Sequence, residues 1–383
     1  MVGADGAVHL DEMSEQIVND PVVIEQAPEL VPPGMSEMVG QGEIVGGAPM
    51  GTTLGYPSTG YGGVCAVPMM ATPMVNVVSP RPLRHGIFGE FLFLHPTGGD
   101  IAHAQQQDGT GGAGTVPFGT IGVTDLHYEP GARVGGDWAM SNCTSIAATY
   151  TWFESNASSR VEAPVIQGGG GAVGSLVQHP GAALTASAGP VDGRSVLDFQ
   201  LADAEYRALL LNDKCFWLIG NVGLRWGHLE QEFGQTGIFS GSQGGNIVTQ
   251  SDVDFDGGGP KFGIDGGRTI GKRGFSIYAR AGVSPLAGQF RSRYSMTNTT
   301  TDITLARADW NDDRLMTLLD YEVGIAWSGP QRKWRFATGY TASYWYNAVT
   351  NSDYIGAVQT GHYGDLSDTI SFDGLTARIE RMW

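Results

Sequence analysis

Charge is what this chain has least of. Only 16% of its 383 residues are Asp, Glu, Lys or Arg, against about 25% in an ordinary soluble domain. The first 80 residues hold nine acidic side chains and no lysine or arginine, the first basic residue being Arg81. The remainder carries 30 acidic against 22 basic residues, so more than half of the net charge of −17 falls in the first fifth. Such scarce, unclustered cations exclude a basic nucleic-acid surface. Three cysteines, Cys65, Cys143 and Cys215, with no CxxC spacing exclude a disulfide framework and a structural zinc site. Nothing approaches the run of about 18 apolar residues that a spanning helix needs. The N-terminus shows no basic segment followed by an apolar one, so no secretion leader is visible in it. Gly-x-Ser-x-Gly does not occur, and no Ser, His and acid trio follows from spacing. The expectation is a chain that is not an enzyme, with no catalytic residue, no metal and no cofactor.

What is abundant is glycine, with 58 residues. In residues 1 to 84 it joins proline, methionine and acidic side chains without sustained periodicity, a composition that cannot bury enough apolar surface to offset ordering; this segment is expected to be a disordered tail. Residues 85 to 383 form a second region, where apolar and polar residues alternate over long stretches. In KWRFATGYTASYWYNAV (333 to 349), Trp334, Phe336, Tyr340, Tyr344 and Tyr346 share one face with Thr338 and Ala342, while Lys333, Arg335, Gly339, Thr341 and Ser343 share the other. RLMTLLDYEVGIAWS (314 to 328) likewise sets Leu319, Tyr321, Val323 and Trp327 against Asp320 and Glu322, and HGIFGEFLFLH sets Phe91 and Phe93 against Glu90.

About ten such strands are expected (range 8 to 14), near 85–95, 126–140, 142–154, 195–211, 214–232, 252–271, 274–294, 313–328, 333–349 and 369–383. Four of the links between them are very short, SN, LND, GKR and SGPQR, and the others are long and rich in Gly, Ser, Thr and Gln. Tight turns at one end and long loops at the other describe an all-β, up-and-down antiparallel transmembrane β-barrel. Alternation alone does not say which face is inward, and a soluble all-β fold would reverse the faces. The Gly, Ser, Asn and charge on the second face of nearly every strand favour the membrane barrel, as do Tyr and Trp near the ends of the apolar face.

With the aromatic face outward, Phe91, Phe93, Trp226, Tyr321, Trp327, Trp334, Phe336, Tyr340, Tyr344 and Trp383 are expected to meet lipid. The inner face then collects Glu90, Asp203, Glu205, Asp320, Glu322 and Glu380 with Arg133, Arg207, Arg225, Arg280, Arg335 and Arg378 as pore-lining residues; Asp137, Asp265 and Lys261 fall there too. Acid and base are nearly balanced, which suits a paired ion network as well as a charged channel. Ten strands make a narrow barrel, since about eight can be filled by side chains and about 16 leave a channel.

The segments VLDFQLADAEYRALLLNDKCFWLIGNVGLRWGHLEQEF, GGGPKFGIDGGRTIGKRGFSIYARAGVSPLAGQF, WRFATGYTASYWYN and the closing LSDTISFDGLTARIERMW resemble the pore-forming outer-membrane proteins typified by the Legionella major outer membrane protein. The resemblance covers residues 85 to 383 and is strongest from 195 on. It implies a barrel in the bacterial outer membrane, with outer-membrane lipid as a partner and a pore-forming or structural role. Trp383, with Ile379, Ala377 and Leu375 on its face, resembles the terminal-strand signal read by the barrel assembly machinery. No nucleic-acid partner is expected, and no oligomeric state follows from these patterns. The function expected first is a porin-like pore for ions or small polar solutes, with a non-conducting structural or surface-adhesive barrel as the alternative.

Three motifs invite chemistry. SDVDFDGGGPKFG (251 to 263) starts as a calcium loop does, with Asp252, Asp254, Asp256 and Gly257, but its twelfth position is Gly263 instead of Glu; solvated or Arg-paired aspartates are expected. His228 beside Glu230 reads as a rim residue of a strand. Cys143 and Cys215 lie near the short-turn end on strands separated by a third, about 9 to 10 Å apart, too far to bridge without strain. All three cysteines are therefore expected to be free thiols.

Overall fold

The computed structural model describes residues 83–109, 115–166, 169–213, 215–271, 273–329, 331–364 and 366–383. The expectations placed on the tail and on Cys65 fall outside the described residues. In chain order the strands are β1 (Gly86–Thr97), β2 (Ile101–Asp108), β3 (Val116–Thr124), β4 (Glu129–Ala139), β5 (Thr144–Val161), β6 (Val165–Ile166), β7 (Gly169–Ser175) and β8 (Val191–Asn212). They continue with β9 (Phe216–Phe239), β10 (Gly245–Ile270), β11 (Phe275–Asn298), β12 (Ile303–Ser328), β13 (Trp334–Ala348) and β14 (Asp368–Met382), with one helix, α1 (Asn351–Thr360), between the last two.

Ten of these strands close on themselves in the order β1, β14, β13, β12, β11, β10, β9, β8, β5, β4. All neighbours are antiparallel, and β1 pairs with both β14 and β4, so no edge is left open. They are the ten strands expected from alternation. At the short-turn end their limits agree to within a few residues. At the other end they run on: β9 and β10 extend past 232 and 252 to a turn at 240–244, and β11 and β12 meet at 299–302, where long loops were expected. A 26-residue strand such as β10 runs about 85 Å at ~3.3 Å per residue. Even tilted, that far exceeds an apolar band about 25 Å tall.

The excess length changes character along the strand. Near the short turns, Val222, Leu224 and Trp226 of β9 point outward at 47%, 68% and 44% exposure while Arg225 is buried inside. Farther up, the outward positions are His228, Glu230 and Glu232, and the inward ones are Leu229 and Phe233, both buried. Alternation persists, but polarity reverses. The upper half is thus built as a soluble barrel is, with an apolar interior joined by Val253, Phe255, Phe290, Tyr294 and Met316.

The long connections fold into this head. A small sheet in the order β3, β2, β7, β6 covers one side. Near the end of β13 the pairing with β14 shifts register between Tyr346 and Ala348; Asn347, between them, has a left-handed φ of 64° and donates from Nδ2 to the Leu315 carbonyl at 2.8 Å, a conformation Asn tolerates better than most residues. Thr350 caps α1 by accepting from the Asp353 amide, and Gly361 ends it at φ 71°. Two buried hydrogen bonds hold the start of the helix, Asn351 Nδ2 donating to the Gln231 carbonyl at 2.9 Å and Ser251 Oγ to Asn351 Oδ1 at 2.8 Å, and an exposed one near its end runs from Gln359 Nε2 to the Leu176 carbonyl at 2.7 Å.

One cysteine expectation fails. Cys143 is disulfide-bonded, whereas Cys215 is a free, exposed thiol. Strand spacing constrains only cysteines carried on strands, and Cys143 and Cys215 lie just outside them, before β5 and before β9; an oxidising envelope favours bridging where a partner exists.

Candidate functional site

The lower lumen, between the short turns and the head, concentrates the charged side chains. All twelve residues expected to line a pore, from Glu90 to Glu380, project inward there, and each is in an ion pair. Arg225 donates from Nε and Nη2 to Asp203 at 2.6 and 2.9 Å and from Nη1 to Asp320 at 2.5 Å. Lys261 Nζ lies 2.7 Å from Asp203 and 2.6 Å from Glu205. Arg207 joins Asp137 at 2.7 Å to Glu205 at 2.9 Å. Arg133 reaches Glu90 at 3.3 Å and Glu322 at 3.6 Å, and Arg280 reaches Glu322 at 3.3 Å. Arg335 pairs with Glu380 at 3.1 Å, and Arg378 with Glu380 at 2.6 Å and Glu90 at 3.5 Å. Several pairs cross the barrel, since β4 and β12 stand four strands apart in the ring.

Sequence reasoning found these residues but not what packs around them. Tyr278 is buried in the same layer, donating to Glu322 at 2.8 Å. Its hydroxyl lies over Gly324 and Gly339, where added Cβ atoms would come to 2.7 and 2.9 Å of it; two facing glycines make room for the ring. Among the described residues, one cavity between the ion pairs, of about 110 Å³, is bounded by Arg133, Asp203, Arg225, Lys261, Arg280 and Asp320. That holds a few waters and falls well short of a pocket of about 300 Å³ or more for a small molecule.

Above the ion layer lies a feature that sequence reasoning missed. Phe153 of β5, Phe199 of β8, Trp345 of β13 and Phe372 of β14 are all buried and meet in the middle of the barrel. Ring centroids are 5.2 Å apart for Phe199 and Trp345, 4.6 Å for Phe199 and Phe372, 5.4 Å for Trp345 and Phe372, and 5.5 Å for Phe153 and Phe199. β8 and β13 stand opposite each other, five places apart among ten, so rings in contact there leave no passage between them. The signal available in the sequence was the change from apolar to polar residues along each inward face, from Phe199 and Leu201 to Asp203 on β8 and from Trp345 to Ser343 on β13.

The outer wall carries the ten aromatics expected on it, each between 37% and 63% exposed. Where the head begins, His228 follows Trp226 on this wall and stacks on it, with centroids 6.1 Å apart and planes 4° apart. The Asp252, Asp254 and Asp256 motif forms strand, not a calcium loop. Asp256 Oδ1 lies 2.9 Å from His228 Nδ1, and Asp254 stands opposite Glu230. Burial, and behind it the neighbouring carboxylates, push the Asp252 and Glu230 carboxyls upward. In the head, His103 is fully buried, neither ring nitrogen has a hydrogen-bond partner, and burial lowers its pKa against a smaller opposing pull from Asp192.

Comparisons with known proteins follow the architecture. No curated protein matches the chain. Among solved structures, the outer membrane protease OmpT from Escherichia coli is 12% identical, with 79% of this chain and 97% of that one covered at a TM-score of 0.43. The toluene transporter TodX from P. putida is 8% identical over 79% and 91% at 0.30, and LpxR from Salmonella typhimurium is 10% identical over 68% and 90% at 0.23. These likenesses concern the barrel alone. The expectation that the chain is not an enzyme is nevertheless corrected, since an outer membrane protease is among these structures. The model of the family described as Legionella pneumophila major outer membrane protein precursor matches residues 84–380. With its closed barrel and outward aromatics, this chain is an outer-membrane protein and belongs to the Legionella major outer membrane protein family.

Proposed function

We propose that the chain is a sealed outer-membrane barrel, a structural and surface-presenting component whose folded head stands outside the membrane and whose lumen does not conduct at rest. The aromatic contact of Phe199 and Phe372 with Trp345 carries this reading. It closes the lumen above an ion layer in which the charges expected to line a pore are paired with one another. In this reading the exposed aromatics face lipid, the ion layer spans the bilayer, and the head above the aromatics is anchored by α1.

A gated pore for small ions is the second reading. It is favoured by the charged walls of the 110 Å³ cavity. Single-channel recording on the folded protein in a planar bilayer separates the two. Silence of the parent protein at both polarities, with folded barrel recovered from the same membranes, is the result expected. Discrete steps in the parent protein would replace the sealed barrel by the porin-like pore first expected from the sequence.

A further inference from the structure

The outer wall just above Trp226 carries an arrangement that neither reading of the lumen uses. Strand register sets Glu154 of β5 opposite Asp198 of β8, Asp198 opposite Glu230 of β9, and Glu230 opposite Asp254 of β10. Directly opposed like charges destabilise a sheet, and here four carboxylates stand in one row. His228 is placed beside that row. The Nδ1 contact with Asp256 at 2.9 Å assigns the ring proton to Nδ1, donating to the carboxylate. This leaves the Nε2 lone pair facing Glu230, whose Oε2 is 3.9 Å away. The stacked Trp226 ring restricts the imidazole. Asp198 Oδ1 is a buried oxygen without a hydrogen-bond partner. One donor atom from each of Asp198, His228 and Glu230 lies within 4.8 Å of the others.

We propose that Asp198, His228 and Glu230 bind a divalent metal ion of the borderline kind that accepts nitrogen and oxygen together, with Zn²⁺ as the representative, and that Asp256 orients the imidazole. A carboxylate on the second nitrogen is the usual partner of a metal-binding histidine. Calcium and magnesium prefer oxygen-only sets of six or more ligands, so the imidazole selects against them. Metal–ligand distances of about 2.0–2.2 Å require the three donors to close in on the ion, which Glu230, 38% exposed, is free to do. A bound ion would tie β8 to β9 at the foot of the head and neutralise the centre of the carboxylate row.

The test uses untagged, folded barrel in detergent, stripped with chelator and titrated calorimetrically with ZnCl₂ at pH 7.5, with CaCl₂ in parallel. One saturable Zn²⁺ site per chain is expected. It should weaken at least tenfold in Asp198→Asn and in both His228→Ala and His228→Gln, about 10- to 100-fold in Asp256→Asn, and not at all in Asp313→Asn. Cu²⁺ bound to the parent protein should show nitrogen hyperfine coupling that both His228 variants lose. Electrophoretic mobility before and after heating establishes that each variant is folded. Absence of a saturable site, undiminished binding in the folded His228 variants, or Ca²⁺ binding equal to Zn²⁺ would overturn the proposal.

Discussion

Replacing Phe372 by alanine tests the seal at a single position. The ring is 1% exposed and lies 4.6 Å from Phe199, 5.4 Å from Trp345 and 5.9 Å from Phe153 by centroid. Removing a ring from such a site forfeits its transfer free energy and leaves a cavity that the strands, fixed by their ladder, cannot collapse; the cost is about 3–5 kcal/mol. The same residue on the wall of a water-filled channel would cost only about 0.5 kcal/mol, because water would already occupy its other side. Size of effect therefore separates a packed lumen from an open one. Urea titration of the barrel folded in detergent, followed by tryptophan fluorescence with every tryptophan retained, reads the difference directly. A loss below about 1 kcal/mol at unchanged denaturant dependence would refute the packed aromatic layer, and with it the sealed barrel.

Arg225→Met should cost about 3–5 kcal/mol in the same assay, because it strips the strongest partner from buried Asp203 and from Asp320; a near-neutral result would mean that solvent already screens these carboxylates. Leu319→Arg, on the outer face opposite Tyr344, should lower folding stability in liposomes by about 2–4 kcal/mol, and tolerance would count against lipid on that face. His103 has a folded-state pKa below its ordinary value, so the unfolded chain takes up the proton first; the stability it supports is complete above about pH 6.5 and is lost as pH falls through the lowered folded value. Protection of amides in β2 and β3, taken relative to intrinsic exchange at each pH, should accordingly fall between pH 7.5 and 5.5, and His103→Leu should remove most of that fall; an equal fall in the variant would assign it to other groups.

The barrel was legible because period two is a strong signal when one face meets lipid and the other does not. Strand number and the short-turn ends followed from Trp334, Phe336 and Tyr340 on one face and from links as short as SN and GKR. The upper halves of the strands were harder. Past Trp226 the outward face becomes His228, Glu230 and Glu232, and with no apolar residue left to follow outward the strand was expected to end at 232, although the alternation continues to Phe239. Which charges pair with which was not legible either, since Arg133 meets Glu322 across the barrel and only closure brings those strands together. The aromatic layer depends on the same closure: its four rings come from positions 153, 199, 345 and 372, and nothing local relates them.

The reversal of polarity also explains where the proposed seal falls. Inward residues on β8 run from Leu197, Phe199 and Leu201 to Asp203 and Glu205, and on β14 from Phe372 to Arg378 and Glu380; on β9 the outward face changes between Trp226 and His228. All three changes meet at one level. Below it, in the proposed placement, lipid accepts apolar side chains outside, so the interior carries the polar ones, which must pair with each other because little water reaches them. Above it water surrounds the wall, and the interior takes the apolar side chains instead. The aromatic rings occupy the first interior layer of the upper regime, directly on top of the ion pairs. A slip of one residue in any strand would turn both regimes inside out at once, exposing Arg225 to lipid and Leu229 to water. Register is therefore specified twice along each strand, and in the proposed sealed barrel the boundary that fixes it in the membrane is the same one that sets its seal.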